Sequence, residues 1–397
     1  MFEVLFWICL FAMAYHYAGY PLLLIAMGWI FRVKPIESSQ VTPSVSLIIS
    51  AYNEEGVIRE KIQNALALDY PDERIQVIVA SDGSTDRTCE IVRQFEDRGV
   101  VLHHHPDRRG KNEALNDVAS QTTGEILVFT DANGMYRHKA IRHLVKPFAD
   151  ERVGCVCGEL LYQNPNENLV AEGYNHYWRY DQWLKRLETQ LHSLLGSNGS
   201  IFAVRRDLNR PIDPRVSNDM MLPIQVAADG YAVLYVPEAV SVESGSTGAS
   251  EELRRRSRIV ARGLVGTFFA LPGLIRKGKI LLLLQLVSRK LLRYFFPVFL
   301  ISLFVSNGFL FASSEFYRWT LFAQFAPYLL VPLGYIFNRF GQKAGILSLP
   351  YYFCVGNLAA MRGICKALAF RNLATWEGFD RSYDLVIREG SGADGRD

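Results

Sequence analysis

The chain has 397 residues, enough for one large domain or two modest ones, and its hydrophobic fraction of 49% is ordinary for a soluble protein. A formal net charge of +3 argues against nucleic acid, which needs a dense basic surface. Of six cysteines, Cys155 and Cys157 make a lone C-x-C with no second pair at zinc spacing, so free thiols in a reducing compartment are expected, and no histidine pair has metalloprotease spacing.

The apolar residues crowd into the two ends. Residues 1–31 hold only Glu3 and His16 as ionisable side chains, enough to span a bilayer as a helix. The run lacks a basic start and is too long for a signal peptide. Pro21 is placed to kink it. Arg32 and Lys34 follow at once, which by the positive-inside rule puts the next segment in the cytoplasm.

From Val45 to about Val242 the pattern alternates strand and helix. Strands are expected at 45–50, 75–80, 100–102 and 125–130. Helices are expected at 54–68, where Val57, Ile58, Ile62, Ala65 and Leu66 share a face, and at 87–96 and 111–120. His103, His104 and His105 fall at a strand end or in a loop, and their alternating faces prevent all three from meeting one ion. Alternation of this kind predicts an α/β fold, a mostly parallel sheet with helices on both faces. Ligands of such sheets sit at the carboxyl ends of the strands. The polar clusters lie there: Tyr52, Asn53 and Glu54 after the first strand, Ser81 and Asp82 after the second, Asp131 and Asn133 after the fourth.

Basic residues gather at 254–262 and 276–293. Segments 253–275 and 279–292 mix basic and apolar residues as helices in a membrane interface do. Spans are expected at 291–312 and 319–337. The stretch 346–370, interrupted by Arg362 and Lys366, reads as a short span with an interfacial helix or as a re-entrant hairpin; Arg371 and these two favour an internal C-terminus. The expected organisation is a transmembrane helix at 1–34, a cytoplasmic domain at 43–250, interface helices at 251–290, a transmembrane region at 291–372 and a tail at 373–397.

Carboxylates at successive strand ends suit a nucleotide-sugar donor. Asp82 would meet the nucleoside, Asp131 would hold Mg²⁺ or Mn²⁺ against the diphosphate with help from Asn133, and Lys111 would reach a phosphate. Asp219 opens an apolar helix after a polar turn and is the candidate general base. Trp178 and Trp183 lie on an aromatic stripe that would line an acceptor groove.

These residues fall into recognisable motifs. The Ser-Ala-Tyr-Asn-Glu-Glu run at 50–55 carries Tyr52 and Glu54, and Ser-Asp-Gly-Ser-Thr-Asp at 81–86 carries Asp82. Gly-Lys-Asn-Glu-Ala-Leu-Asn at 110–116 carries Lys111. Thr-Asp-Ala-Asn at 130–133 fills a D-x-D slot, Gly196, Ser197 and Asn198 open a Gly-Ser-Asn-Gly-Ser run, and Asn218-Asp219 fills the slot of an E-D motif. Together they resemble the family 2 glycosyltransferases, in the membrane-bound bacterial branch similar to cellulose and hyaluronan synthases. The resemblance implies a GT-A fold, inverting transfer from a UDP-type sugar donor, an acceptor site at Gly196–Asn198 with Trp178, and Asp219 as base. It implies bacterial exopolysaccharide or cell-envelope glycan synthesis at the inner membrane, with partner subunits of a glycan export system. Asn133 departs from the second aspartate of D-x-D. In the Q-x-x-R-W slot the chain has arginines, among them Arg255 and Arg258, which would neutralise a leaving diphosphate. The tryptophan is absent, which favours simple transfer over a processive, polymer-secreting synthase. A non-catalytic nucleotide-binding assembly subunit is the reading from another class.

Overall fold

The computed structural model describes the chain apart from residues 32–33, 35, 37–38, 164–168, 245–248, 340–347 and 370–397. Arg32, Arg371 and the expected 373–397 tail lie outside the described residues.

The first apolar run forms α1 (Phe2–Ala14) and α2 (Tyr20–Ile30), joined by a π-helical turn at Tyr15–Gly19. Pro21 accounts for the turn: it has no N–H for the Tyr17 carbonyl, and its ring would press on that oxygen in a regular helix. The freed carbonyl accepts a hydrogen bond from the Tyr180 hydroxyl at 3.1 Å.

Strands β1 (Val45–Ala51), β2 (Ile75–Asp82), β3 (Val101–His105) and β4 (Ile126–Asp131) are parallel, in the order β3-β2-β1-β4. The crossovers are α3 (Ile58–Leu66), α4 (Thr88–Arg93) and α5 (Lys111–Gln121). α3 starts later than its periodicity suggests, because Asn53 takes a left-handed conformation (φ 53°) and its side-chain oxygen accepts from the Thr85 amide at 2.8 Å. The three histidines continue β3 to its carboxyl end.

Beyond Asp131 come β5 (Met135–Tyr136), α6 (Ala140–Val145), β6 (Val153–Gln163), α7 (Leu169–Gln190), β7 (Phe202–Arg205), α8 (Asn218–Ala228) and β8 (Ala232–Ser244). The described strands complete one eight-stranded sheet, ordered β3-β2-β1-β4-β7-β6-β8-β5. β7 runs antiparallel to both β4 and β6, and β5 antiparallel to β8, while β6 and β8 pair in parallel, so the sheet is mostly parallel as expected, with β7 and β5 reversed within it. Apolar runs such as 201–204 report burial and not strand direction, so the reversal of β7 has no signal of its own in the sequence. Side chains alternate across β1: Leu47 and Ile49 join the core on one face, Ile48 the core on the other.

The carboxy-terminal part holds α9 (Ala249–Arg276), α10 (Ile280–Gln285), a π-helical turn (Leu286–Leu291), α11 (Leu292–Leu310), α12 (Glu315–Arg339) and α13 (Ser348–Leu368). Among the described residues three helical stretches are long and apolar enough to cross a membrane: Phe2–Ile30, Ser250–Arg276 and Ile280–Leu310. The chain is a membrane protein. The 253–275 segment, expected as an interface helix, also has the length and hydropathy of a span, through its apolar second half with exposed Phe268, Phe269 and Ile275. One expectation needs correcting. Segment 279–292 is not a separate helix: neither Gly nor Pro interrupts 280–296, so it runs through the π turn into α11. The expected spans at 319–337 and 346–370 fall on α12 and α13, and α13 is one helix rather than a hairpin.

Candidate active site

Asp82 ends β2 and is 5% exposed. Its two carboxylate oxygens accept the backbone N–H groups of Arg109 and Gly110, each at 2.8 Å. The carboxylate thereby seats the loop that carries Arg108, whose guanidinium lies 3.8 Å from the Tyr52 ring centroid. Gly83 is required beside it: at φ +69° a Cβ would come within 2.7 Å of the Arg108 nitrogen. Nε and Nη2 of Arg108 and Nε of Arg109 are buried and have no hydrogen-bond partner among the described residues.

Asp131 ends β4. Its Oδ1 accepts from Ser50 Oγ at 2.9 Å and is ion-paired with Lys111. Burial pushes this carboxyl up, but the charge and hydrogen bond of Lys111, the Ser50 hydroxyl and the charge of Lys61 outweigh it and hold Asp131 below the ordinary aspartate range. Asn133 follows in the same turn and lines the same cavity. One carboxylate and one amide oxygen are hard donors of the kind that hold Mg²⁺ or Mn²⁺ together with substrate phosphates. Among the described residues no group of three or more His, Cys, Asp or Glu could hold a metal without such help.

Asp219 lies in the first turn of α8. Its Oδ1 accepts from the Ser217 hydroxyl, and its backbone carbonyl accepts Ser197 N–H at 2.7 Å and Ser197 Oγ at 2.8 Å. The Gly196–Ser200 segment is thus hung on the helix that carries the carboxylate. Asn198 is buried and anchored, accepting from Lys185 Nζ at 2.7 Å and donating to the Gly158 carbonyl at 2.6 Å. Trp178 donates from Nε1 to the Leu160 carbonyl at 2.9 Å and has Lys185 Nζ 5.0 Å from its ring. Trp183, its expected companion, is 42% exposed and points elsewhere.

One cavity of about 1120 Å³ takes in the candidate nucleotide, metal, acceptor and base residues, from Tyr52, Asp82 and Asp131 through Asp219 to Arg255 and Arg258, but not Trp183. It continues between the first π turn, α11 and α13, where His16, Tyr17, Phe296, Pro350 and Phe353 line it. At that end Arg289 is buried between Glu188 and Asp181, and Glu188 also accepts from the Tyr20 hydroxyl at 2.5 Å. Burial alone would raise the Asp181 carboxyl; Arg289 and its neighbouring cations instead hold it well below its ordinary range. The network ties α2, α7 and the second π turn together. None of Asp181, Lys185, Glu188 or Arg289 was singled out beforehand. The Asp181–Lys185 spacing of one helical turn was legible, whereas the Arg289 partners lie about a hundred residues away in sequence. Lys61 was also missed, although it falls on the apolar face of α3 with Ile58, Ile62 and Ala65.

Residues 46–212 match the model of glycosyl transferase family 2, so the chain carries a family 2 glycosyltransferase domain. It is 29% identical over 233 residues to a probable glycosyltransferase of Bacillus subtilis, the match covering 56% of each chain. It is 27% identical over 224 residues to a beta-monoglucosyldiacylglycerol synthase of Nostoc sp., covering 54% of this chain and 48% of that one. The chain thus spans about half the length of these curated relatives. A mannosyltransferase from Pyrobaculum calidifontis, solved with GDP-Man and Mn²⁺, superposes with a TM-score of 0.68 at 22% identity, covering 93% of this chain and all of that one. The shared architecture is the GT-A-like mixed sheet with its helices.

Proposed function

We propose that the protein is an inverting glycosyltransferase that moves a sugar from a nucleoside diphosphate sugar to a lipid-linked or polysaccharide acceptor in bacterial envelope or exopolysaccharide synthesis. The observation that carries this reading is the continuity of the cavity. The cavity that holds Asp82, Asp131 and Asp219 is also lined by His16, Tyr17, Phe296, Pro350 and Phe353 from the amino- and carboxy-terminal helices, with Asp181 and Arg289 beside them. An acceptor held in the bilayer would present its hydroxyl to Asp219 without leaving the membrane.

Each group then has a task. Tyr52, Glu54 and Asp82 surround the nucleoside. Asp131 and Asn133 hold the divalent cation, Mg²⁺ or Mn²⁺, which when bound neutralises charge on the diphosphate. Lys111, Arg255 and Arg258 add countercharge to the leaving group. Asp219 takes the acceptor proton as the acceptor oxygen bonds to the anomeric carbon. The bond from that carbon to the diphosphate oxygen breaks, its electron pair leaves with the nucleoside diphosphate, and the configuration inverts. Gly196, Ser197, Asn198 and Trp178 shape the acceptor side. The catalytic domain faces the cytoplasm of a multi-pass inner-membrane protein, the donor is a UDP-sugar, and glycan export subunits are the expected partners. One sugar is added per encounter, since segment 251–263 has no tryptophan to hold a growing chain.

A donor screen on protein purified in detergent tests the proposal. UDP- and GDP-sugars are offered with membrane lipid extract, and products are identified by mass. The expected result is donor-dependent release of nucleoside diphosphate with a lipid-linked product one sugar heavier. A ladder of long polymer would contradict single addition, and no release with any donor would contradict the transferase reading.

A further inference from the structure

Lys61 is fully buried under the turn that bears Asp131 and Asn133. Its ammonium donates to Thr130 Oγ1 at 2.9 Å and to the Gly134 carbonyl, and lies 4.2 Å from the Tyr136 ring centroid. One helical turn on, Asn64 pairs with the Tyr136 backbone in both directions, each bond at 2.8 Å. Two side chains of α3 therefore grip the whole of 130–136 from below. Position 134 also has no room for a side chain: a Cβ there would meet Ser200 Oγ and come to 2.9 Å from Ser241 Oγ.

Burying an ammonium is unfavourable unless its partners answer the charge. The atoms Lys61 touches are a hydroxyl, a carbonyl and a ring; its charge is felt by Asp131 and Glu243, which both line the cavity. A Leu or Met would fill the space on α3 more cheaply. The placement makes sense if the turn, rather than the core, needs the lysine.

We propose that Lys61 is a positioning residue for the metal–diphosphate site: it locks the Asp131–Asn133 turn in the shape that presents both oxygens to a divalent cation. This rests on the transferase reading and adds to it a residue outside the cavity that sets its metal affinity. Charge and positioning act in opposite directions, which makes the idea testable. Removing a positive charge behind Asp131 would by itself strengthen Mn²⁺ binding. Weaker binding can come only from loss of the turn's shape.

The experiment titrates Mn²⁺ into full-length protein in detergent with saturating UDP, and in parallel GDP, following bound Mn²⁺ by electron paramagnetic resonance. Thermal unfolding is measured on the same samples. Lys61→Met keeps the length and apolar fit, and it should retain or raise the unfolding temperature while weakening Mn²⁺ about tenfold or more, as loss of an outer partner of a metal ligand does. Thr130→Val, which removes the hydroxyl that receives the ammonium, should reproduce part of the loss and decides the matter if Lys61→Met does not fold. Unchanged or tighter Mn²⁺ binding in the folded variants overturns the positioning role. Wild-type protein that takes up Mn²⁺ with neither nucleotide overturns the functional reading, and the inference with it.

Discussion

Asp82→Asn is the perturbation whose consequence is most directly worked from the geometry. The carboxylate accepts two backbone N–H groups at 2.8 Å while only 5% exposed. Asparagine keeps one acceptor oxygen and turns an NH₂ toward the other amide. One charge-assisted bond is lost and one N–H is left facing a donor. With hydrogen bonds to charged groups worth about 1.5–3 kcal/mol, and a stranded buried donor in the same range, the net loss is about 3 kcal/mol. For a domain of this size that lowers the unfolding temperature by roughly 6–12 °C. The loop released is the one that lays Arg108 on Tyr52, so nucleoside diphosphate affinity should fall with stability. Tryptophan-fluorescence melting in detergent and calorimetric titration with UDP and GDP read the two effects. A variant that melts with the wild type and binds nucleotide normally would refute the assignment of Asp82 as the anchor of the 108–110 loop.

Other expectations follow from single contacts. Gly134→Ala would drive a Cβ onto Ser200 Oγ and to 2.9 Å from Ser241 Oγ, so it should destabilise by about 2 kcal/mol, seen as a lower melting temperature. Lys111→Met removes the main partner of Asp131. The depressed carboxyl contributes stability above the ordinary aspartate value of 3.8 and loses it as pH falls through its folded value, so the variant should show a smaller drop in melting temperature between pH 6 and pH 3. Lys61 behaves oppositely. Burial lowers it to about 7 from 10.5, so the unfolded chain holds the proton more firmly across that interval. Wild-type stability should therefore rise from pH 7 toward 10, and Lys61→Met should lack this rise.

The parallel half of the fold was legible because β1, β2 and β4 are short apolar runs, each ending in a polar cluster. Those clusters mark the carboxyl ends where the cavity lies. The other half was not, since burial patterns over 153–163 and 202–205 carry no information on which neighbour a strand joins or which way it runs. The boundary between interfacial and spanning helix was equally hidden: 250–276 holds both an arginine-rich half at the cavity and an apolar half. Lys61 shows the limit most plainly. A lysine is assigned to solvent by default, and only its position between Ile58 and Ile62 signalled otherwise. The Arg289–Glu188 pair, joined across distant helices, left no local trace at all.

The central claim is that Asp219 serves as the base for sugar transfer in the cavity it shares with Asp82 and Asp131. Asp219→Asn tests it most directly, with initial rates of nucleoside diphosphate release measured on the donor that the wild type uses and nucleotide affinity measured on the same preparation. The account predicts that turnover falls by a factor of about a hundred or more, the scale of a lost general base, while nucleotide affinity stays close to wild type. Turnover near the wild-type rate in a variant that binds nucleotide normally would contradict it.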